Sequence, residues 1–161
     1  MASKVIKDKT NVCRILDQKK IHYTEHTYNP EDGISGLEVA ASLGQDVNRV
    51  FKTLVTVGAS KKNYVFVIPV SSELNLKKAA KAVGEKSIEM IKSKDLLALT
   101  GYVHGGCSPI GMKKFFKTTF HESAPTYDTI CFSGGKIGYQ VELSYSDLQQ
   151  ILDISTADIC D

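Results

Sequence analysis

Apolar and polar positions along this chain follow two rhythms, one of about 3.6 residues and one of 2, and each change of rhythm marks an element. Val12, Ile15 and Leu16 recur at helical spacing behind Thr10, whose hydroxyl suits an N-cap. The run IHYTEHTY (21–28) then sets Ile21, Tyr23 and Glu25 against His22, Thr24 and His26, which is the period of a strand. SGLE (35–38) has the form of a capping box, with Ser35 at the N-cap and Glu38 three residues on. The helix it opens carries Leu37, Ala40, Ala41 and Leu43 and stops at Gly44.

RVFKTLVTVG (49–58) is rich in the residues that fill a pleated surface, and YVFVIPV (64–70) is apolar on both faces, as a covered central strand should be. Asn75 caps a helix with Leu76, Ala79, Ala80 and Val83 on one face and Gly84 at its end. SKDLLALTG (93–101) predicts a short helix stopping at Gly101. After the loop GYVHGGCSPIG come two strand-like runs, FFKTTFHE (115–122) and DTICFSGG (128–135). The turn SGGK leads into IGYQVEL (137–143), whose clean alternation predicts a hairpin with the preceding strand. SYSDLQQIL opens a last helix, Ser144 standing three residues before Asp147. Strands interspersed with helices, plus a hairpin, give an α/β or α+β class with a mixed sheet that can close into a barrel.

Length and composition narrow the function classes. At 161 residues the chain is expected to be one domain, 1–161, with a core of its own. Apolar content of 42% and charged content of 24% are ordinary for a globular protein, and no apolar run is long enough to cross a bilayer. The opening MASKVIKDKT lacks the apolar segment of a secretion signal. A net charge of +2 argues against a protein that coats long nucleic acid, but not against a small basic patch that grips one RNA end. Cys13, Cys107, Cys131 and Cys160 form no C-x-x-C pair and no zinc-finger spacing, so free thiols in a reducing cytoplasm are expected.

Candidate chemistry begins with Lys52. Strand alternation puts its ammonium on the face of Val50 and Leu54. Either the side chain snorkels to water from a wet strand end, or it is a cation held in a cleft for a substrate oxygen or anion. GGCSPIG (105–111) holds three glycines and a proline in seven residues, a fixed backbone path that serves either as a structural turn or as a nest of amides for an anion. Cys107 lies in that loop without an evident activating base, although His104 is near in sequence. SGGK lacks the earlier glycine and the following Ser or Thr of a phosphate loop. His22 and His26 share a strand face, but two imidazoles alone do not make a metal site. Lys113, Lys114 and Lys117 form a basic run that is either a solvated face or a guide for a phosphate chain.

HTY at 26–28, VFKTL at 50–54, LKKAAKAVG at 76–84, TGYVHGGCSPIGMKK at 100–114 and SGGKIG at 133–138 occur in one order and spacing. Together they resemble the Cys-tRNA(Pro) deacylases of the YbaK/EbsC family, relatives of the editing domain inserted in bacterial prolyl-tRNA synthetases. The resemblance runs from about Thr10 to the last helix. It implies a single aminoacyl-tRNA editing domain, α/β in class: a mixed, partly closed β-barrel surrounded by helices. It implies a cytoplasmic enzyme, without cofactor or metal, that removes cysteine from mischarged Cys-tRNA(Pro), and from Cys-tRNA(Cys) as a further substrate. The acceptor end of aminoacylated tRNA would be its partner, with prolyl-tRNA synthetase as a second and no membrane.

By position, the resemblance makes Lys52 the functional lysine and Thr53 its neighbour. Tyr28 becomes the pocket tyrosine, Gly105 the first glycine of a pocket loop that continues through Gly106 and Ser108, and Ser133 the serine of SGG. The chain departs at Gln140, where enterobacterial relatives carry an aspartate; an amide can hydrogen-bond there but cannot accept a proton. Cys107 stands where relatives carry an apolar residue. The family also implies a substrate that supplies its own nucleophile: the cysteine thiol attacks its own carbonyl and leaves as a thiolactone, while loop amides steady the oxyanion and Lys52 binds the terminal adenosine. Two alternatives stand beside this reading, a deacylase for another amino acid such as alanine and a non-catalytic module that holds tRNA or a synthetase.

Overall fold

The computed structural model describes residues 9–161, so most of the N-terminal stretch examined for a secretion signal lies outside the described residues. Helix α1 (Asn11–Gln18) starts where Thr10 Oγ1 accepts from the Cys13 amide at 3.2 Å, and it buries Val12, Cys13 and Leu16. Strand β1 (Thr24–Thr27) is shorter than the alternation suggested. Helix α2 (Gly36–Leu43) has both bonds of the Ser35–Glu38 capping box and ends on Gly44 in the left-handed conformation. Such a cap contributes about 1 kcal/mol. The face that α2 buries is Val39 and Ala40, whereas Leu37 and Ala41 point outward. The small stripe of the sequence pattern is thus turned by one position.

Strands β2 (Phe51–Gly58) and β3 (Asn63–Pro69) form an antiparallel pair with Lys52 opposite Ile68. Helix α3 (Leu76–Val83) is capped by Asn75 and stopped by left-handed Gly84. A short strand β4 (Ile88–Met90) follows, then a 3₁₀ turn (Ser93–Asp95) that runs into α4 (Leu96–Thr100) and ends at Gly101. The second half is β5 (Lys117–His121), β6 (Ile130–Ser133), β7 (Tyr139–Leu143), α5 (Tyr145–Gln149) and β8 (Ile154–Ala157). The pattern did not mark β4 and β8. Each has only three or four residues, too few to display a period.

Five strands form one sheet in the order β4-β2-β3-β5-β8, and three form another, β1-β7-β6. β5 and β8 run parallel to their neighbours and the remaining pairs are antiparallel, so the larger sheet is mixed. The sheets face each other over the main core. Phe51, Val55, Val65, Val67 and Phe120 come from one side, and Ile130, Phe132, Val141 and Leu143 from the other, with α1 and α5 closing the ends. Phe66 and Ile68 point the opposite way, against Ala79 and Ala80 of α3. β3 is therefore covered on both faces, which is the physical reason for its unbroken apolar run. Among the described residues the sheets pair at one place, a parallel bridge between Val50 and Cys131, where Cys131 N–H donates to the Arg49 carbonyl at 2.9 Å. Elsewhere among those residues the barrel is open. Among the described residues no helix is long and apolar enough to cross a membrane.

Candidate functional site

Beyond the Val50–Cys131 bridge, β2 and β6 separate. β2 gains its next neighbour, β4, only at Thr56. The ladder alternates. The Val50 carbonyl accepts from Val70, the residue after β3, while the Val55 carbonyl accepts from Ile91 on the other side. Thr53, two residues before Val55, therefore turns its own N–H and C=O away from β3 and toward the gap. A cavity of about 410 Å³ opens there. It is an unclosed stretch of barrel wall, floored by β2, β6 and β7 and roofed by α2 and the glycine loop.

Lys52, Thr53, Tyr28, Gly105, Ser133 and Gln140 all line this cavity. Lys52 is half-buried, and among the described residues its ammonium has no hydrogen-bond or ion-pair partner. The Thr53 hydroxyl is buried and likewise without a partner. A buried hydroxyl left unpaired costs about 1–3 kcal/mol. Ser133 Oγ accepts from the Gly135 amide at 3.1 Å, so its own proton remains free to donate. The Tyr28 amide donates to the Gly138 carbonyl at 3.0 Å, which fixes the end of β1 against the hairpin turn.

The glycine loop divides. Gly105 lines the cavity with φ +89°, and a Cβ there would stand 3.0 Å from Ile34 Cδ1. Only glycine brings main chain this close without strain. Gly106 and Ser108 do not line the cavity. A Cβ on Gly106 would meet the backbone of Lys136 and Ile137 at 3.2–3.4 Å, so this glycine lets the loop pack on the hairpin turn. Ser108 is fully buried and its Oγ accepts from the Ile110 amide at 3.3 Å. Both hold the path that presents Gly105.

Cys107 does line the cavity, but burial, only partly offset by Thr100, pushes its thiol up to about 12. At neutral pH the thiol is therefore protonated, the inert state for a nucleophile. His104, also at the cavity wall, is exposed. The basic run is elsewhere: Lys113 Nζ lies 3.4 Å from the Ala98 carbonyl on α4, and Lys114 sits over the Phe116 ring at 5.6 Å.

Two features were not visible in the sequence. Gln140 is buried, and it exchanges two hydrogen bonds with Gln45 at 2.7 and 2.9 Å. Leu37, outward on α2 and 54% exposed, forms part of the cavity rim with Ile34. No local signal links Gln45 to Gln140, because 95 residues separate them. His26 is hydrogen-bonded to Glu142 at 2.8 Å.

A match to the aminoacyl-tRNA editing domain family spans residues 33–151, which contains the cavity apart from Tyr28. The chain is 51% identical over 145 residues to EbsC of Enterococcus faecalis, a protein named for Cys-tRNA(Pro)/Cys-tRNA(Cys) deacylation; the match covers 89% of this chain and 88% of EbsC. It is 33% identical over 76 residues to a proline–tRNA ligase of Shouchella clausii, covering 47% of this chain and 13% of the ligase. A crystal structure described as a trans-editing enzyme for prolyl tRNA synthetase superposes with TM-score 0.82 at 22% identity, over 94% of this chain and 98% of that one, and shows the same fold.

Proposed function

The chain belongs to the aminoacyl-tRNA editing domain family, and from that premise we propose that it is a trans-editing deacylase that removes cysteine from mischarged Cys-tRNA(Pro), with Cys-tRNA(Cys) as a second substrate. Identity of 51% to EbsC over most of both chains supports the substrate class. The observation that carries the reading is the company Lys52 keeps. Lys52, whose ammonium has no partner among the described residues, Thr53 and the main chain at Gly105 line one cavity.

The chemistry follows from what the cavity offers and lacks. It offers no activated protein nucleophile, since the Cys107 thiol is held protonated. The cysteine of the substrate supplies the nucleophile. Its sulfur bonds to its own ester carbonyl, the ester C–O bond breaks, the thiol proton passes to the departing ribose oxygen, and a cyclic thiolactone leaves. Sulfur and carbonyl belong to one molecule, so the protein's task is to hold a reactive conformer. Lys52 binds the terminal nucleotide and steadies negative charge at the ribose oxygen, while main chain at Gly105 faces the developing oxyanion. Thr53 and Ser133 donate to substrate oxygens, and Tyr28 and Gln140 form the wall that bounds the amino-acid side chain.

Prolyl-tRNA synthetase is the proposed partner, since a net charge of +2 leaves little general attraction for tRNA. The proposed compartment is the cytoplasm, where aminoacylated tRNA is used. The test is turnover: Cys-tRNA(Pro) is cleared well above its spontaneous rate while Pro-tRNA(Pro) is spared. Clearance of Ala-tRNA(Pro) in preference to Cys-tRNA(Pro) would reassign the substrate, and clearance of neither would leave a binding module.

A further inference from the structure

Gln140 and Ser133 share a sheet face with a second group of side chains that the deacylation chemistry does not use. Cys131 and Glu142 are direct cross-strand partners on β6 and β7, and His26 on β1 stands two residues along from Thr24, which faces Glu142. Alternation therefore puts all three side chains on one face. One ligand atom from each lies within 4.8 Å of the other two. We propose that His26, Cys131 and Glu142 form a binding site for a borderline-soft divalent cation of the zinc type.

The donor set is the first reason. One thiolate, one imidazole and one carboxylate are the ligands that zinc draws on, and three protein ligands leave a fourth position for water. Ligand atoms around a tetrahedral ion stand about 3.5 Å apart. The His26–Glu142 contact at 2.8 Å has to open slightly, and the cysteine sulfur already lies within 4.8 Å of both partners, within reach of side-chain rotation.

Support around the carboxylate is the second reason. Glu142 Oε1 faces His26, while Oε2 accepts from Arg49 Nη2 at 3.3 Å and from the Thr129 hydroxyl at 2.5 Å. One oxygen is thus available and the other is held by outer partners, the usual arrangement of a ligating carboxylate. Arg49 is tied back by the Thr129 carbonyl at 3.0 and 3.1 Å, and its charge is offset by two anionic ligands once the thiol ionises. Burial, then the Glu142 charge, pushes the free Cys131 thiol up to about 12, so the ion itself must displace that proton to solvent. His26 and Glu142 are 28% and 25% exposed, which gives the ion its access. Because His26 is the register partner of Gln140, an ion here would staple the three-stranded sheet beside the cavity, on the same face.

Cobalt(II) titration of the full chain under reducing conditions tests the site. The expected result is a thiolate-to-cobalt charge-transfer band, displaced by zinc, lost in Cys131→Ser and retained in Cys160→Ser. Affinity should fall at least about tenfold in His26→Gln. Absence of the band in the wild-type chain at millimolar cobalt overturns the proposal without reliance on any variant, and so does a band that survives Cys131→Ser. Far-ultraviolet circular dichroism of each metal-free variant establishes that a lost band reflects a lost ligand and not a lost fold.

Discussion

Gln45 and Gln140 pair amide to amide, each donating to the other, and so join the segment after α2 to the middle of β7 at the cavity wall. The pairing uses one donor and one acceptor on each side and leaves no charge in a buried place. It explains how glutamine is accommodated in a buried place: Gln140 sits 2% exposed, bonded to Gln45 in both directions. Gln45→Leu should cost about 1–3 kcal/mol by orphaning the Gln140 amide, and Gln45→Leu/Gln140→Leu should recover much of that loss. Urea unfolding of the two singles and the double measures it; strictly additive losses would mean the pair is not coupled.

Lys52→Ala should lower deacylation of Cys-tRNA(Pro) by about 10²-fold, the scale of one electrostatic contact to the reacting ester. Stability should change little, since among the described residues the ammonium has no partner to lose. Single-turnover rates together with a thermal melt separate the two effects. An unaltered rate would mean that Lys52 merely snorkels.

Serine on the same tRNA should be a poor substrate, because a hydroxyl is a much weaker nucleophile than a thiol at neutral pH. Release from Ser-tRNA(Pro) and Cys-tRNA(Pro) is compared side by side. Comparable rates would remove the thiolactone route and require an attacking water.

Cys107→Ala should leave the deacylation rate within about threefold of the wild type, since a thiol pushed up to about 12 contributes almost no thiolate. A loss of two orders of magnitude in a folded variant would restore Cys107 as the nucleophile.

The acid side of the stability profile should depend on Glu142. Burial raises its carboxyl, but bonds from Thr129 and His26 and the charges of His26 and Arg49 outweigh that and hold it below its ordinary 4.5. A folded value below the unfolded one means the contribution is present in full above the unfolded value and is lost as pH falls through the folded one. Glu142→Gln should therefore be less stable than wild type near neutrality, and the gap should close below about pH 4. A gap that widens on acidification would contradict the assignment.

Local chemistry determined what the sequence could announce alone. Thr10, Ser35, Asn75 and Ser144 each accept a bond from the amide three residues on, and Gly44, Gly84 and Gly101 each end a helix in the left-handed conformation. These bonds span one turn, so their partners are readable from spacing. The apolar run of β3 likewise reported its own burial, whereas β7 buries Val141 and Leu143 as its alternation announced but Gln140 as well. In the motif stretches the chain also displayed Lys52, Tyr28, Gly105 and Ser133, and folding brings those four to one cavity.

Tertiary structure alone decided the rest. The parallel pairing of β8 on β5, the seam at Val50 and Cys131, the Gln45–Gln140 exchange and the meeting of His26 with Cys131 and Glu142 all join residues far apart in the chain. Neither partner carries a mark of the other. Whether a glycine of the loop faces the cavity, as Gly105 does, or a neighbouring turn, as Gly106 does, depends on how two loops dock and not on glycine itself. A hydrogen bond closed within four residues is written in local spacing, whereas one closed across a sheet exists only after the hydrophobic core has set the register.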